Sequence, residues 1–482
     1  MKQQFEKKEL KKKSENLSEW YTDVILKAEL ADYAPVKGMM VIRPYGYAIW
    51  EKVQEVMNAY MKSAGVQNAY FPLFIPHSLL EKEKEHVKGF SPELAIVTIG
   101  GGEKLKDPLV VRPTSETIMY EMYRKWIHSW RDLPLLINQW NNVVRWEKRT
   151  YLFLRTMEFL WHEAHTAHED EEGAIDMCLK ALQWYKTIYE EYYAIPTIIG
   201  VKSQSEKFAG AKQTYTVEML MPDGKALQGA TSHNLGQNFS VPFELKFQNR
   251  EGKEAYVWQT SWAITTRSIG ALVLTHGDDN GLILPPKIAP IQAIIVPILA
   301  KDVDRTGLQG YCQEMKEALT NSGVRVVVDE NEAESVGRKF NKWEVKGVPL
   351  RLEVGQKELA ARSVVVVRRD IGKKETVKRE AMLVRIESLL KEIQEVRYVA
   401  SKAFLDANTR PAASYEELKE IMNTNRGFIR AFWCEDAACE TAIKEETKAS
   451  TRCLPLDAKE EKGFCVRCGK PATHRWIFAQ AY

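Results

Sequence analysis

Residues 284 to 290 read LPPKIAP, three prolines within seven positions. Proline has no backbone N–H to give, and its ring clashes with the turn before it. No continuous helix or central strand therefore passes through this stretch. The 482-residue chain must break here into separately folded units, as its length alone suggests. Beyond the break, IQAIIVPIL, VRVVVDE, PLRLEVG and SVVVVRRD are short β-branched runs. Helical stretches separate some of them, such as YCQEMKEALTNSG with its terminal glycine. Such alternation predicts a compact α/β unit over 286–405, closed by the helix SLLKEIQEVRYVASKAFLDAN. Before the break, 1–285 mixes helical and strand patterns, and this region predicts an α+β unit. After NTRPAAS, 406–482 forms a third, cysteine-bearing region.

Hydrophobic residues make up 45% of the chain and charged residues 28%, the balance of an ordinary soluble protein with sizeable cores. No apolar run approaches the roughly 20 residues of a membrane span. The N-terminus MKQQFEKKELKKKSENLSEW has lysines but no apolar stretch behind them, so it reads as a solvated tail or frayed helix rather than a secretory signal. Both features predict a cytoplasmic protein with no membrane partner. Thiols stay reduced there, so the seven cysteines need a use other than disulfides. Cys434 and Cys439 form one short-spaced pair; Cys465 and Cys468 form a CxxC followed by Gly469. Four thiolates in two such pairs suit a closed, structural, tetrahedral Zn²⁺ site. Cys178, Cys312 and Cys453 read as core or incidental residues.

The net charge is only +3, but it is unevenly spread. Arg338 to Glu380 holds thirteen Lys and Arg against six Asp and Glu, a net of +7. A basic stretch of this kind is the footprint of a polyanion partner or simply a solvated face.

FLWHEAHTAHED, residues 159 to 170, carries three histidines, yet their spacing misses the zinc-protease pattern by one residue. Thr166 and Glu169 have capping-box spacing, and acids follow, which predicts a helix starting just after Thr166. The preceding segment reads as a strand. Phe159, Trp161, Glu163 and His165 then share one face, while Leu160, His162 and Ala164 share the other. No single face gathers the three histidines, which argues against a metal. Upstream, NVVRWEKR gives the same parity to Arg145 and Glu147, and KRTYLFLRT joins the two strands.

An antiparallel pair with Arg-x-Glu on one arm and an aromatic on the other resembles motif 2 of the class II aminoacyl-tRNA synthetases. GVQNAYFPLFIP, after the amphipathic IWEKVQEVMNAYMKSAG, resembles motif 1 with its proline at Pro72, the motif that builds the dimer interface in that family. WAITTRSIGALVLTHGD resembles motif 3, its helix starting near Arg267 and placing Gly270 against the sheet. RPTSET, WHEAH, QGATSHNLGQNFS, TTRSIG, KWEVKGVPLRLEVG and the four-cysteine terminus ending in Tyr482 narrow the likeness to the prolyl-tRNA synthetase family, of the archaeal and eukaryotic-like type. It extends over nearly the whole chain after the first fifteen or so residues.

The resemblance implies an antiparallel-sheet catalytic domain, an α/β anticodon-binding domain and a small α+β zinc domain. It implies ATP-dependent attachment of L-proline to tRNA(Pro) through a prolyl-adenylate, by a homodimer using Mg²⁺ and structural Zn²⁺. Arg145 and Arg267 would be the catalytic arginines. Thr114, Glu116, Arg145, Trp161, Glu163, His165 and His233 would line the proline pocket. Glu147, Thr156, Met157, Phe159, Gln228 and Thr231, with the two arginines, would bind ATP and Mg²⁺; at Met157, where some relatives carry Gln, only a backbone contact is implied. Phe340, Glu344, Lys346 and Arg351 are the candidate anticodon contacts. Only about 100 residues separate motifs 2 and 3, too few for the large editing insertion of the bacterial type. Two rival readings are a synthetase-like RNA binder or sensor, and an adenylating enzyme with a non-tRNA acceptor. The intact arginines oppose the first, and the anticodon-like domain opposes the second.

Overall fold

The computed structural model describes residues 10–81, 94–299 and 304–482. Residues 1–9 of the tail, with three of its six lysines, lie outside the described residues. Lys13, also within the expected tail, is anchored instead: its Nζ donates to the carbonyls of Leu274 (2.7 Å) and Gly277 (2.8 Å).

The largest sheet has eleven strands. Its long members are β1 (Leu135–Val144), β2 (Glu158–His168), β3 (Ile198–Val201), β4 (Gln213–Leu220), β5 (Ala226–Gly236), β6 (Trp258–Thr265), β7 (Ser450–Pro455) and β8 (Arg475–Ala479). They lie in the order β8-β7-β3-β4-β5-β6-β2-β1, each antiparallel to its neighbours. Short strands close both edges, Gln67–Asn68 beside β1 and Phe428–Phe432 with Thr409–Pro411 beyond β8.

The helices that matter to the site are α1 (Leu17–Lys27), α2 (Pro44–Ser63), α3 (Glu116–Trp126), α4 (Glu171–Thr187), α5 (Arg267–His276), α6 (Met382–Ala407) and α7 (Ala437–Thr447). One side of the sheet is dry. Ala164 and Trp262 pack there with Trp50 of α2, Leu182 and Tyr185 of α4, and Leu272 of α5. His162 belongs to this side, wedged among Trp140, Tyr185 and Trp262. Asn138 and the Tyr185 hydroxyl, at 2.7 and 2.9 Å, satisfy its two nitrogens.

The helix expected after Thr166 starts later. β2 runs through His168, and α4 begins at Glu171 behind Asp170, whose Oδ1 accepts the Gly173 N–H at 2.8 Å. Pairing with both flanking strands takes the backbone of 166–167, and Thr166 spends its hydroxyl on Thr260 and His168. A local capping signal loses to a sheet that offers hydrogen bonds on both sides. Gly270 also differs from expectation. A Cβ there would sit 2.6 Å from Leu154 and 2.7 Å from the Tyr21 hydroxyl, so it meets the connection between β1 and β2, and α1, rather than the sheet.

The 284–290 stretch is a turn, with the N–H groups of Ile288 and Ala289 both on the Pro285 carbonyl. The five-stranded sheet that follows runs Val326–Val328, Ala293–Pro297, Leu350–Val354, Ser363–Arg368 and Lys374–Lys378 in space. Its first three strands are parallel, and the last two pair antiparallel. Arg305–Asn321 and α6 cover one face, and Val336–Val345 packs Phe340 and Trp343 on the other. This is the α/β architecture expected from the β-branched runs.

The cysteine-bearing region is not an appended bead. β7 pairs with β3 through Leu454↔Val201 and Pro455↔Gly200, so one sheet runs through both. The approach needs glycine: a Cβ on Gly200 would lie 2.3 Å from the Leu454 carbonyl oxygen. α6 continues to Ala407, across the position where the composition changes.

Candidate active site

The polar side of β2, β5 and β6 floors a cleft. β2 contributes Phe159 and Trp161, β5 contributes Gln228, Thr231 and His233, and β6 contributes Ser261, Ala263 and Thr265. Alternation dictates the β2 and β6 sets and the Thr231–His233 pair, since every second residue of a strand faces the same way. Gln228 joins that face across a bulge, where β4 pairs Val217 with Ala230 but Glu218 with Gln228. The loop before α3 adds Thr114 and Glu116, and the β1–β2 connection adds Arg145, Glu147, Arg155 and Thr156. Arg267 enters at the first residue of α5.

Three guanidiniums converge here. Arg145 stands over Phe159 and Trp161, 5.5 and 5.4 Å from the ring centroids, and donates to the Pro113 carbonyl at 3.1 Å. Arg267 is held by the Leu154 and Gln228 carbonyls at 2.9 and 3.4 Å. Arg155 pairs with Glu147 at 2.9 Å. Burial lowers the pKa of Arg267, and the positive charges of Arg155 and Arg145 lower it further. It remains a cation at neutral pH. Like charges crowded into one cleft favour an anionic ligand.

At the other end the polarity reverses. Glu116 is buried at the start of α3, where the helix dipole favours a carboxylate. It accepts hydrogen bonds from Thr114 and, at 2.9 Å, from Ser261. His233 stacks on Phe208 with centroids 4.6 Å apart and contacts Thr214 at 2.9 Å. Burial pushes its pKa down to about 3, so the ring facing the cleft is neutral.

The structure thus brings Thr114, Glu116, Arg145, Glu147, Thr156, Phe159, Trp161, Gln228, Thr231, His233 and Arg267 to one cleft. Three expected residues stand behind its lining. Glu163 is buried and accepts from the Ser115 N–H at 2.9 Å, the Ser115 hydroxyl and Asn141 at 2.6 Å. His165 meets Glu163 at 3.1 Å and the Tyr120 hydroxyl at 3.2 Å. Burial works against the Glu163 carboxylate, yet His165, Ser115 and Asn141 carry its pKa down to about 2. Burial also disfavours the His165 cation, but Glu116 and Glu163 raise its pKa overall. Met157 is buried, its N–H on the Gly38 carbonyl and its own carbonyl on the Arg145 N–H, so its backbone secures Arg145.

Sequence reasoning left Arg155, Glu206, Phe208, Thr214 and Ser261 unassigned. Parity along β6 would have found Ser261. Glu206 and Phe208 sit in an irregular loop with no periodicity to read.

The four cysteines of the terminal region do meet. Cys434 and Cys468 have Sγ atoms 3.5 Å apart, Cys439 and Cys465 3.6 Å apart, and all four lie within 4.8 Å of one another. Zinc bonds of about 2.3 Å in a tetrahedron place sulfurs about 3.8 Å apart, so the donor set and its size fit Zn²⁺. Gly469 turns the knuckle at φ +69°, its N–H on the Cys465 carbonyl at 3.0 Å. Cys178, Cys312 and Cys453 are buried elsewhere. No metal-sized grouping among the described residues contains two of the three histidines.

Comparison with known proteins agrees with the cleft. Residues 98–276 match the tRNA synthetase class II core domain (G, H, P, S and T), 292–389 an anticodon binding domain, and 415–482 the prolyl-tRNA synthetase C-terminal domain. A proline–tRNA ligase of Natranaerobius thermophilus is 51% identical, with 98% of each chain covered. The chloroplastic/mitochondrial proline–tRNA ligase of Arabidopsis thaliana is 49% identical over 98% of this chain and 88% of its own length. A proline–tRNA ligase 2 of Bacillus cereus is 49% identical over 98% of both. The chain belongs to the proline–tRNA ligase family. It is an enzyme of the class II tRNA synthetases, and its α+β architecture is theirs.

In a proline–tRNA ligase the second sheet is the anticodon-binding part. A hollow on it is lined by Trp343, Glu344, Arg351, Arg368, Arg369 and Lys374, among others. Two expected residues, Glu344 and Arg351, lie there. Phe340 is the platform beneath Arg351, 4.1 Å from its guanidinium. Lys346 is not in that lining; it pairs with Glu29 at 2.6 Å, and its Nζ lies over the Tyr45 and Trp343 rings. The basic stretch is also less free than its composition suggests. Arg338, Lys339, Lys342, Lys346, Arg351, Arg362, Arg368, Arg369, Lys374 and Arg379 all stand in ion pairs.

Proposed function

We propose that this chain attaches L-proline to tRNA(Pro) in two steps, through a prolyl-adenylate with release of pyrophosphate. The observation that supports this reading best is the bipolar cleft. Three arginines gather at one end and a buried glutamate with a neutral histidine at the other. ATP brings the negative charge for the first end, and the proline ammonium the positive charge for the second.

In the first step the proline carboxylate attacks the α-phosphate and pyrophosphate leaves. The nucleophile is already ionised, so no general base is needed, and catalysis rests on positioning and charge neutralisation. Arg145 would bridge carboxylate and α-phosphate, because its planar fork binds either bidentately. Arg267 would hold the γ-phosphate, and Phe159 would stack on adenine. Glu147, Thr156, Gln228 and Thr231 supply oxygen-bearing side chains for ATP and for Mg²⁺, which when bound neutralises phosphate charge. Thr114, Glu116 and His233 would take the ring ammonium against Trp161. Glu163 and His165 act from behind by fixing the loop that carries Glu116.

In the second step the prolyl group passes to the 3′ end of the tRNA. Here 286–405 would read the anticodon, through Glu344 and Arg351 with Phe340 as platform, and 406–482 would hold one structural Zn²⁺. Residues between β2 and β6 supply α4 and strands β3 to β5 of the same sheet, which supports a catalytic core without an inserted editing domain. Small apolar competitors are hard to reject by binding alone, so alanine and cysteine are the substrates to test for misactivation. A homodimer through the motif 1 region is supported by Tyr70, Phe74, Ile96 and Ile99, large apolar side chains exposed there. We place the enzyme in the cytoplasm; among the described residues no helix is long and apolar enough to cross a membrane.

Glu116→Ala tests the assignment. It should raise the KM for proline far more than that for ATP, and an unchanged proline KM removes Glu116 from the pocket.

A further inference from the structure

The wall of the cleft nearest the terminal region has an unusual support. Glu206 and Phe208 line the cleft from the loop after β3, and Phe208 stacks on His233. The start of this loop turns on one residue: the Lys207 N–H reaches the Ser203 carbonyl, and the Glu206 N–H reaches the Ser203 hydroxyl at 3.2 Å. The first turn of the loop therefore hangs on Ser203. The Ser203 hydroxyl in turn donates to Glu440 Oε1 at 3.0 Å. Glu440 lies on α7, next to Cys439, one of the four clustered thiols. The Thr451 hydroxyl of β7 holds the same carboxylate oxygen. One turn further along α7, Lys444 pairs with Glu206 itself at 2.8 Å.

The ground beneath is equally fixed. Just after β3, Lys202 pairs with Glu218 of β4 at 2.9 Å, and Arg452 of β7 takes the other oxygen of Glu218 at 2.9 Å. These three charges are buried, so the register between the terminal strand and the catalytic strands is set by complementary charge. From α7, bonds run through Ser203 and Lys444 to Glu206; Phe208, two residues on, stacks on His233 and gives its own N–H to Thr214 at 3.0 Å.

We propose that Glu440 and Lys444 of α7 are positioning residues for the amino-acid end of the cleft. They hold the 203–210 loop so that Phe208 stays stacked on His233. The proposal rests on reading that end of the cleft as the proline site. Neither side chain touches substrate. At the ATP end, Arg145 and Arg267 rest on the carbonyls of Pro113, Leu154 and Gln228, all remote from α7 in the chain. The effect is therefore expected chiefly at the proline end.

The test uses the full-length zinc-loaded enzyme with Ser203→Ala, Lys444→Ala and Lys444→Arg, in proline-dependent ATP–pyrophosphate exchange. Lys444 is 58% exposed, so its loss does not threaten folding. An exposed ion pair bears modestly on the loop, so Lys444→Ala should raise the proline KM about threefold. Ser203→Ala, which cuts a hydrogen bond to a buried carboxylate, should raise it about tenfold. The KM for ATP and kcat should hold within about twofold of wild type, since uniform binding alone is lost. Lys444→Arg should restore the proline KM. Hydrogen exchange over 203–210 should quicken in both damaging variants, with zinc content unchanged. An unchanged proline KM and loop exchange, in an enzyme whose wild type is proline-dependent, would overturn the proposal. Equal changes for proline and ATP would overturn it too, since they mark general loosening. A wild type without proline-dependent exchange would instead overturn the reading of the cleft on which it rests.

Discussion

Glu163 accepts the backbone N–H of Ser115 at 2.9 Å. This bond ties strand β2 to the loop that delivers Glu116. With His165 against the same carboxylate, Glu163 forms a buried charged brace behind the cleft. Removing one partner of such a pair leaves the other buried and unmatched. Glu163→Ala should therefore cost about 3–5 kcal/mol of stability and raise the proline KM. Urea unfolding read beside exchange kinetics checks both; a variant as stable as wild type contradicts the brace.

Arg145→Ala should lower adenylate formation about 10²–10³-fold, the usual loss when one preorganised charge donor is removed from a reaction centre. The side chain is only partly buried, so circular dichroism should be unchanged. Near-normal exchange in this variant takes Arg145 out of the mechanism.

Acid should loosen the protein before its carboxylates titrate. Burial depresses His162, His233 and His276 to about 3 and His168 to about 4, from an ordinary 6.5. A base whose folded pKa is lowered contributes stability above its unfolded value, and loses it as pH falls below 6.5 towards the folded value. Each such histidine adds up to about 1.4 kcal/mol per pH unit to the slope. Glu163, lowered from 4.5 to about 2, adds a further loss below pH 4.5. The raised His165 works in the opposite sense: its share is present below 6.5 and fades as pH rises through its folded value. Unfolding midpoints between pH 7.5 and 4 should fall steeply, and less steeply in His162→Gln; equal slopes contradict this assignment for His162.

Much of this was legible from sequence, for physical reasons. Period-2 alternation is strict, so the faces of Phe159, Trp161, Glu163 and His165 followed from parity alone. The β-branched runs after Pro290 and the paired cysteines were equally direct. Depth was not legible. Glu163 and His165 share the face of Trp161, but only packing of the 113–116 loop shows that they stand behind the cleft. Thr166 has capping chemistry, and only the presence of two neighbouring strands shows that it is spent on sheet pairing. Lys346 lies close in sequence to residues of the hollow on the second sheet, yet its ion-pair partner, Glu29, is distant in sequence. How much of the charge of 338–380 is paired was not legible for the same reason, since several of its counter-ions, such as Asp278 and Glu314, lie outside that stretch.

Chelation of zinc, or Cys439→Ser, should release the knuckle and loosen the strands of the terminal region. A structural zinc contributes folding energy directly. The measurable result is one zinc per wild-type chain, its loss in the variant, and a lower thermal midpoint. Folded wild-type protein without metal contradicts a zinc site.

Arg351→Ala should weaken charging of tRNA while leaving proline-dependent exchange unaltered, because the hollow on the second sheet takes no part in adenylation. The KM for tRNA against that for proline separates the two. A loss of exchange would mean that Arg351 is structural, through Phe340 and Glu353.

The most direct measurement is ATP–pyrophosphate exchange with each of the twenty amino acids, followed by charging of total tRNA with the active one. A bipolar cleft that takes ATP and a ring ammonium predicts strong exchange with proline and transfer of proline to tRNA. Exchange with no amino acid, from folded zinc-loaded protein, or exchange with proline that never reaches tRNA, would contradict it.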